Sequence, residues 1–308
     1  MIVDCYTHIW DSMSQLGRDL PWSRSRLGLP ALTRLEGAPA KAGAERHYEA
    51  SRPVDTAIVV GFKSHYLGAE IPDMLVADYV RRYPDKLIGF AGVDPAVPEE
   101  AIGALVRARR ELGMKGVGVA PAAQDYHPAD TRAMRVYAKA AELQMPVLFH
   151  PGIHMATACK LEYAQPVLLD EVAREFPDLK IIVAHLGYPW VAETIVLLAK
   201  HPNVYSDVSW LLHHPWEAYQ ALLGAYHHGV MDKLLFGSGF PYTSAANCIE
   251  TLYSINHMVQ GTNLPVIPRD QLRGIVERDA LEVLAIRPGA ARRGPSRPSA
   301  FPERDEDL

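Results

Sequence analysis

Short apolar runs recur along the chain and alternate with longer segments of helical period. The runs are rich in Val, Ile, Leu and Phe and show little strict alternation of polar and apolar positions. This pattern is typical of parallel strands that are buried on both faces. The predicted strands are Ile2–Ile9, Thr56–Phe62, Leu87–Val93, Gly116–Ala120, Pro146–His150, Lys180–His185, Val204–Val208 and Leu234–Ser238.

The segments between these runs carry apolar residues at helical spacing. In Glu99–Leu112, for example, Ile102, Leu105 and Val106 share one face. Further helices are predicted at Thr131–Leu143, Val167–Phe176 and Pro189–Ala199. Alternating strands and helices indicate a parallel α/β fold, and eight such units in about 250 residues predict a (β/α)₈ TIM barrel. The first predicted strand is not followed by a GxGxxG motif, which disfavours a dinucleotide-binding sheet.

Proline ends several of the predicted helices. Tyr83-Pro84, Phe176-Pro177 and His201-Pro202 each precede a predicted strand. Because proline disfavours the helical conformation of the residue before it, we expect the helices to end at these positions.

We expect the barrel to span residues 1–286. Residues 11–50 form an unusually long first βα loop, which we expect to cover the barrel mouth, since long loops in compact domains are usually functional or disordered. Residues 287–308 are rich in Pro, Arg and acidic residues and are predicted to be a disordered tail.

Composition narrows the class of protein. The 308 residues are 48% hydrophobic and 22% charged, and the net charge of −5 comes without a long basic run. These values fit a globular enzyme and predict no binding to nucleic acid or to an anionic membrane. The three cysteines make neither a disulfide framework nor a CxxC pair. Since we find no signal peptide and no membrane-length apolar segment, we expect a cytoplasmic protein.

Histidines collect at the ends of the predicted strands. Eight of the 13 lie at or after a C-terminal strand end, which in a barrel is the face that carries the chemistry. They are His8, His65, His127, His150, His154, His185, His213 and His214. Most of these can be read as ordinary polar loop residues. His150 and His185 are different because each ends a strongly apolar strand, where a titratable group needs partners.

The first predicted strand adds three polar residues. Asp4, Tyr6 and His8 are spaced two apart, so the strand period places them on one side, which we expect to be the barrel interior. An alternative for Asp4 is a buried polar group that holds a neighbouring loop.

Six motifs occur in order at barrel spacing: Asp-Cys-Tyr-Thr-His on the first strand, Met-Lys-Gly-Val at 114–117, Phe-His-Pro-Gly at 149–152, Ala-His-Leu-Gly at 184–187, Val-Tyr-Ser-Asp-Val-Ser at 204–209, and Leu-Phe-Gly-Ser-Gly-Phe-Pro at 235–241. With these motifs the chain resembles the amidohydrolase superfamily, in its amidohydrolase-2 (aminocarboxymuconate-semialdehyde decarboxylase-like) branch. The resemblance implies a metal site built by His-x-His on strand 1, His on strand 5 and Asp on strand 8, with a strand-6 His beside the attacking water.

This chain departs from that pattern twice. His8, His150 and His185 match the family's second strand-1 His, strand-5 His and strand-6 His. The first strand-1 His is Tyr6, and the strand-8 Asp is Gly239. A zinc site usually needs three or more protein ligands, and the resemblance leaves His8 and His150. We therefore expect either no metal or one weakly held divalent metal, for which zinc is the first choice.

Three hypotheses follow. In the first, a metal persists on His8, His150 and His185, helped by Tyr6 or Asp207. In the second, the metal is lost, as in metal-free relatives in the superfamily, and acid–base catalysis is performed by a cluster of Tyr6, His8, His150 and His185. In the third, the barrel is a non-catalytic binding or assembly protein. The resemblance implies hydrolysis or non-oxidative decarboxylation of a small carboxylated or cyclic compound.

An anionic small molecule is the expected substrate, and it would need a cation. Lys63, after the second strand, and Arg24 or Arg26, in the first loop, are candidates, although a solvated surface charge is the favoured interpretation for any single one of them. Trp10 and Trp210 follow the first and seventh strands and can form an apolar wall for a planar ligand, with core packing as the alternative. By analogy with the family, we expect a homodimer.

Overall fold

Eight parallel strands form a single sheet in the computed structural model, which describes residues 1–17, 42–151 and 157–287. Each strand pairs with its neighbour in chain order. The strands are β1 (Val3–Thr7), β2 (Thr56–Val60), β3 (Leu87–Gly92), β4 (Gly116–Val119), β5 (Val147–Phe149), β6 (Ile181–Val183), β7 (Val204–Asp207) and β8 (Leu234–Leu235). All eight lie where the sequence predicts them, shortened by at most three residues at either end.

The first and last strands close the sheet into a barrel. The backbone N–H of Cys5 donates to Phe236, and that of His8 donates to Phe240. In return, the N–H of Gly239 donates to the carbonyl of Tyr6. The predicted (β/α)₈ TIM barrel is therefore confirmed.

Helices follow the strands as the apolar spacing predicts. The helices of the described residues are Ala44–Ala50, Asp73–Arg82, Pro98–Arg110, Pro121–Gln124, Thr131–Glu142, Leu169–Glu175, Val191–Lys200, Pro215–His227, Ala245–Ser254, Arg269–Glu277 and Ala280–Val283. Those that end at Arg82, Glu175 and Lys200 stop just before the Tyr-Pro, Phe-Pro and His-Pro pairs, as proline requires. Within the residues that the structure describes, no helix is long and apolar enough to span a bilayer.

A short antiparallel hairpin follows β2 and is not predicted from the sequence. It pairs Phe62–Ser64 with Ala69–Ile71. The sequence analysis assigns Phe62, the first residue of this hairpin, to the second predicted strand, because the apolar run continues through Gly61 without a break. The hairpin matters for function because Phe62 and Ile71 line the cavity described below.

Two apolar layers hold the barrel. The larger layer packs between the sheet and the surrounding helices, and the smaller fills the barrel interior. Interior positions include Ile58, Ile88 and Leu148, together with Leu281 and Leu284 from the last helical segment. The barrel is thus a packed core and not a pore. Removing this much apolar surface from water is the main stabilising contribution to the fold.

Strand β1 contains an irregularity that changes which side chains face inward. Asp4 pairs with Ala57 and Thr7 pairs with Val59, so the register shifts between them. Val3 and Cys5, which flank Asp4, both belong to the interior cluster. Asp4 therefore lies on the opposite face from Tyr6, and the prediction that the two share one side is wrong.

Asp4 instead holds the end of the last strand. Its Oδ1 accepts from the N–H of Ser238 at 2.8 Å and from that of Tyr6 at 3.3 Å. Burial raises the pKa of this carboxyl from 3.8 to about 7. The role matches the alternative of a buried polar group that fixes a neighbouring loop.

Candidate active site

Four aromatic and imidazole side chains meet at the C-terminal end of the barrel. They are Tyr6 in β1, His8 just after β1, His150 just after β5 and His185 two residues beyond β6. The Tyr6 ring lies 4.9 Å from that of His8, 5.7 Å from that of His150 and 4.7 Å from that of His185, centroid to centroid. The rings of His150 and His185 are 5.0 Å apart. The structure thus brings together the residues that the sequence singled out.

Hydrogen bonds fix the tautomer of His8. Its Nδ1 lies 2.7 Å from the carbonyl oxygen of Val60, which can only accept, so Nδ1 carries the proton. Burial lowers the pKa of His8 to about 4, so the ring is neutral near pH 7 and Nε2 holds a lone pair. That lone pair accepts the hydroxyl proton of Tyr6 at 2.8 Å.

The proton of the Tyr6 hydroxyl is therefore already used in the hydrogen bond to His8. Tyr6 is 5% exposed, and burial together with the charge of Asp207 raises the pKa of its phenol well above 10. As long as Tyr6 donates to His8, its oxygen offers lone pairs to other groups. To donate to a substrate oxyanion, the hydroxyl would have to rotate away from His8.

An unusual backbone conformation presents His185. Strand β6 ends at Val183, and His185 then takes φ 60° and ψ 32° while Leu186 takes φ 49° and ψ 33°. A left-handed conformation in a residue with a side chain costs on the order of 1–3 kcal/mol and is concentrated at functional sites. Gly187 follows with φ 63°, where a Cβ would lie 1.9 Å from Oγ1 of Thr194. The turn is thus tightly determined by its surroundings.

A carboxylate at the end of β7 supports this turn. Oδ1 of Asp207 accepts from the N–H of His185 at 3.4 Å and from the N–H of Ser209 at 3.0 Å. It also accepts from the Ser209 hydroxyl, which lies 2.8 Å from Nδ1 of His185. Asp207 and Ser209 are completely buried.

Gly239 follows β8, at the position where the sequence resemblance implies a carboxylate. Its φ is +71°, and a Cβ built there would be in ordinary contact with Ser209, 3.5 Å from its Cβ. The position therefore has room for a side chain, but this sequence supplies none.

The side chains present do not fit a tightly held metal. Within the described parts of the chain, no group of three or more His, Cys, Asp or Glu is arranged to hold one. The free lone pair of His8 is used by Tyr6, Oδ1 of Asp207 is used by three donors, and Gly239 has no donor atom. A metal bound at His8 would have to displace the Tyr6 hydroxyl.

A cavity of about 580 Å³, including its opening, adjoins these residues. Tyr6, His8 and His150 supply part of its wall. The rest comes from Trp10, Leu16, Val60, Gly61, Phe62, Ile71, Gly118, Val119, Ala120, Leu148 and Tyr242. The described wall is mainly apolar and carries no Lys or Arg, which suits the flat body of a small ring compound.

The structure separates the three residues that the sequence predicts for substrate binding. Trp10 lines the cavity. Trp210 lies behind the wall, with its ring 5.8 Å from that of Tyr242 and 6.3 Å from that of His185. Lys63 does not line the cavity, and its Nζ is 2.6 Å from a carboxylate oxygen of Glu100. The observed ion pair with Glu100 and Glu70 leaves Lys63 as a surface charge.

Other predicted positions lie outside the described residues: Arg24, Arg26 and His154. So do most of the predicted covering loop and all but the first residue of the predicted tail. Of the remaining histidines, His65 bonds to Asp94 and Glu100, in keeping with an ordinary polar role.

Sequence reasoning missed two residues that help to build the site, Tyr242 and Ser209. Tyr242 stands in the Gly-Phe-Pro-Tyr segment after β8, and its place at a strand end was an available signal. Ser209 closes the quoted Ser-Asp-Val-Ser motif, yet its hydroxyl gave no sign of its partner because the contact spans 24 residues.

The closed (β/α)₈ barrel with an imidazole cluster at its mouth defines the class, a TIM-barrel protein with a candidate active site. A comparison with family models then identifies the family. The model of the amidohydrolase family Amidohydro_2 matches residues 3–285. The chain therefore belongs to this family. No curated protein sequence matches the chain significantly.

Solved structures share the fold at low sequence identity. An uncharacterized TIM-barrel protein from Bordetella bronchiseptica is 23% identical with a TM-score of 0.68, covering 92% of this chain and 98% of its own. A probable 2-pyrone-4,6-dicarboxylic acid hydrolase from Acinetobacter baumannii, with citric acid bound, is 16% identical with a TM-score of 0.64, covering 92% and 99%. A 5-carboxyvanillate decarboxylase from Novosphingobium aromaticivorans, complexed with manganese and a nitrobenzoic acid, is 14% identical with a TM-score of 0.65, covering 92% and 96%.

Proposed function

We propose that this chain is a hydrolase or carboxy-lyase that acts on a small carboxylated or cyclic compound by acid–base chemistry. The observation that carries the proposal is the convergence of Tyr6, His8, His150 and His185 beside an apolar cavity at the barrel mouth. Structural neighbours with hydrolase and decarboxylase names support this range of reactions.

In this proposal, His185 and His150 move protons and Tyr6 orients the reacting group. Positioned acids and bases of this kind contribute roughly 10²–10⁴-fold to a rate. His8 acts through Tyr6, because its neutral ring holds the phenol hydroxyl in place. The ring of the substrate would lie against the apolar wall that includes Trp10 and Tyr242.

We propose further that the substrate is an anion and that Arg24 or Arg26 binds its carboxylate. The described cavity wall offers no cationic side chain, and Arg24 and Arg26 are the cations that the sequence analysis names in the first loop. The double variant Arg24→Gln with Arg26→Gln should raise KM for carboxylated substrates and leave that for uncharged analogues unchanged. Equal KM values for both groups would contradict the assignment.

The test of the activity is a substrate panel. The purified protein is incubated with 2-pyrone-4,6-dicarboxylate, 5-carboxyvanillate and 2,6-dihydroxybenzoate, each with a chelator and with added manganese or zinc. We expect turnover that survives the chelator and falls by about 10²–10⁴-fold in His185→Asn. A matched control, His257→Gln, changes an exposed imidazole. Ligand binding without turnover, unaffected by His185→Asn, would favour a non-catalytic binding protein instead.

A second candidate is metal-dependent decarboxylation, which the manganese complex of the decarboxylase neighbour favours. It requires about one metal ion per chain after purification without added metal. Elemental analysis decides between the candidates. Stoichiometric metal that is lost on His8→Ala would establish the second one. The homodimer expected by family analogy is tested by the molar mass in solution.

A further inference from the structure

A buried hydrogen-bond chain runs from a carboxylate to the imidazole of His185. Oδ1 of Asp207 contacts Oγ of Ser209, and this Oγ lies 2.8 Å from Nδ1 of His185. Asp207 and Ser209 are fully buried, and His185 is 3% exposed. Asp207 is the last residue of β7, whereas Ser209 lies beyond the end of β7 and His185 beyond the end of β6.

The direction of the chain follows from the number of protons. Ser209 has one hydroxyl proton, and the carboxylate of Asp207, which can only accept, takes it. Oγ must then accept at its other contact, so Nδ1 of His185 carries a proton and donates it to Ser209. The imidazole is left with a lone pair on Nε2, on the other side of the ring from Nδ1.

One contact opposes this assignment. The backbone N–H of Trp210 is 3.4 Å from Nδ1 of His185, and it would favour an unprotonated Nδ1. This contact is longer than the 2.8 Å separation from Ser209 and close to the limit for a hydrogen bond. The shorter contact, which is also linked to a charged group, decides the tautomer.

The charge of Asp207 adds a second effect. Its Oδ2 is buried and has no hydrogen-bond partner among the residues that the structure describes. The carboxylate lies 3.7 Å from Nδ1 of His185. A carboxylate at this distance reinforces the preference for a proton on Nδ1 that the hydrogen bond to Ser209 already creates.

We infer that Asp207 and Ser209 are positioning residues, which fix His185 as the Nδ1–H tautomer and so make Nε2 the base of the reaction. The inference rests on the proposed function only for the catalytic use of Nε2. The tautomer itself is a property of the resting protein. In the step, Nε2 takes a proton from water or substrate, the Nδ1–H remains hydrogen-bonded to Ser209, and the Ser209 proton remains on the bond to Asp207. In catalytic triads a carboxylate fixes the tautomer of the catalytic imidazole by a direct hydrogen bond, whereas here the hydroxyl of Ser209 lies between the two groups.

The first experiment reads the tautomer without a substrate. The whole chain is labelled with ¹⁵N-histidine, and His185 is assigned by the signal that disappears in His185→Asn. We expect a protonated Nδ1 and an unprotonated Nε2 in the parent. In Ser209→Ala, with Oγ removed and the Trp210 N–H still facing Nδ1, we expect a mixture of tautomers. The opposite tautomer in the parent, or no change in Ser209→Ala, would overturn the inference.

Matched variants separate positioning from simple loss of a buried hydroxyl. Ser206→Ala removes a different fully buried serine hydroxyl, which lies within β7, donates to Val183 and does not contact His185. It should leave the His185 tautomer unchanged. Ser209→Thr retains the hydroxyl and should restore the parent tautomer. If Ser206→Ala has the same effect as Ser209→Ala, the change reflects general loosening of β7 and the inference fails.

The second experiment uses turnover of whichever panel compound the protein accepts. Ser209→Ala and Asp207→Asn should each lower kcat by about tenfold or more with KM little changed, because the base is affected and the cavity wall is not. Ser209→Thr should recover most of the rate. A kcat within twofold of the parent in both variants would refute the positioning role. If no panel compound is turned over, the proposed function fails while the tautomer experiment still decides the inference.

Discussion

A buried histidine behind the site allows one prediction to be worked out in full. His47, in the helix Ala44–Ala50, is 0% exposed. Its Nδ1 lies 2.8 Å from the hydroxyl of Tyr79 and its Nε2 lies 2.9 Å from that of Thr7, the last residue of β1. The ring of Phe240, beyond β8, also packs edge-on against it at 5.0 Å. His47 thus holds together the two strand ends that carry Tyr6 and Gly239.

The pH dependence of stability follows from its ionisation. Burial lowers the pKa of His47 from 6.5 to about 3 in the folded protein. The unfolded chain therefore binds one more proton than the folded chain between these two pH values, so the free energy of unfolding decreases as the pH falls below 6.5. At pH 4.5, two pH units lower, this group alone costs about 3 kcal/mol of stability. Above pH 7.5 it costs almost nothing.

Substitution by glutamine removes the titration and keeps a polar side chain. At pH 7.5 we expect His47→Gln to be about 1–2 kcal/mol less stable than the parent, because its hydrogen bonds fit less well. At pH 4.5 that deficit should vanish or reverse, since the variant has no buried base to protonate. Urea unfolding, followed by circular dichroism at several pH values, measures both free energies.

An exposed histidine provides the control for this experiment. His228→Gln removes an imidazole at a helix end that is open to solvent. Its unfolding curve should follow the parent at each pH. If the free energies of the parent and His47→Gln change in parallel from pH 7.5 to 4.5, burial of His47 is not what opposes its protonation, and the reasoning is refuted.

Three further outcomes are expected. The double variant Tyr6→His with Gly239→Asp should bind about one divalent metal per chain, as measured by elemental analysis, although a side chain at φ +71° costs about 1–2 kcal/mol of strain. Neither single variant should bind metal in this way. Failure of the double variant to do so would count against the alignment of these strands. Gly187→Ala should lower the free energy of unfolding by about 2–5 kcal/mol, because the new Cβ would lie 1.9 Å from Oγ1 of Thr194 in a left-handed turn. A decrease in the free energy of unfolding of less than about 1 kcal/mol would mean that the turn can relax. Lys63→Gln should change kcat/KM by less than about twofold, since the ion pairs of Lys63 lie at the surface and are weak. A large rise in KM would instead indicate that Lys63 contacts the substrate.

The sequence was sufficient to place the strands and four of the site residues. Apolar runs of the right length mark buried parallel strands, and in a barrel every C-terminal strand end lies on the same face. Hence Tyr6, His8, His150 and His185 could be expected to meet although they come from three different strands. This reasoning needs only the order of the elements, and the side-chain geometry does not enter it.

Details that depend on local irregularities were beyond the same reasoning. The register shift in β1 reverses the side on which Asp4 lies, and a period-two pattern cannot show where such a shift occurs. The left-handed turn at His185 likewise depends on contacts with Asp207, 22 residues later. Tertiary contacts of this kind decide the conformation, and they leave little trace in local sequence.

Tyr6 stands where the family resemblance implies a metal-ligand histidine, and it changes what the neighbouring residue can do. Nε2 of His8 has one lone pair, and in this structure it accepts the proton of the Tyr6 hydroxyl. A metal ion would need the same lone pair, so metal binding and the Tyr6–His8 hydrogen bond exclude each other at this atom. Displacing a buried hydroxyl that then lacks a partner costs about 1–3 kcal/mol. We therefore expect Tyr6 to lower metal affinity twice, by removing one ligand and by competing for the next, while the same hydrogen bond orients the phenol for the proposed acid–base chemistry.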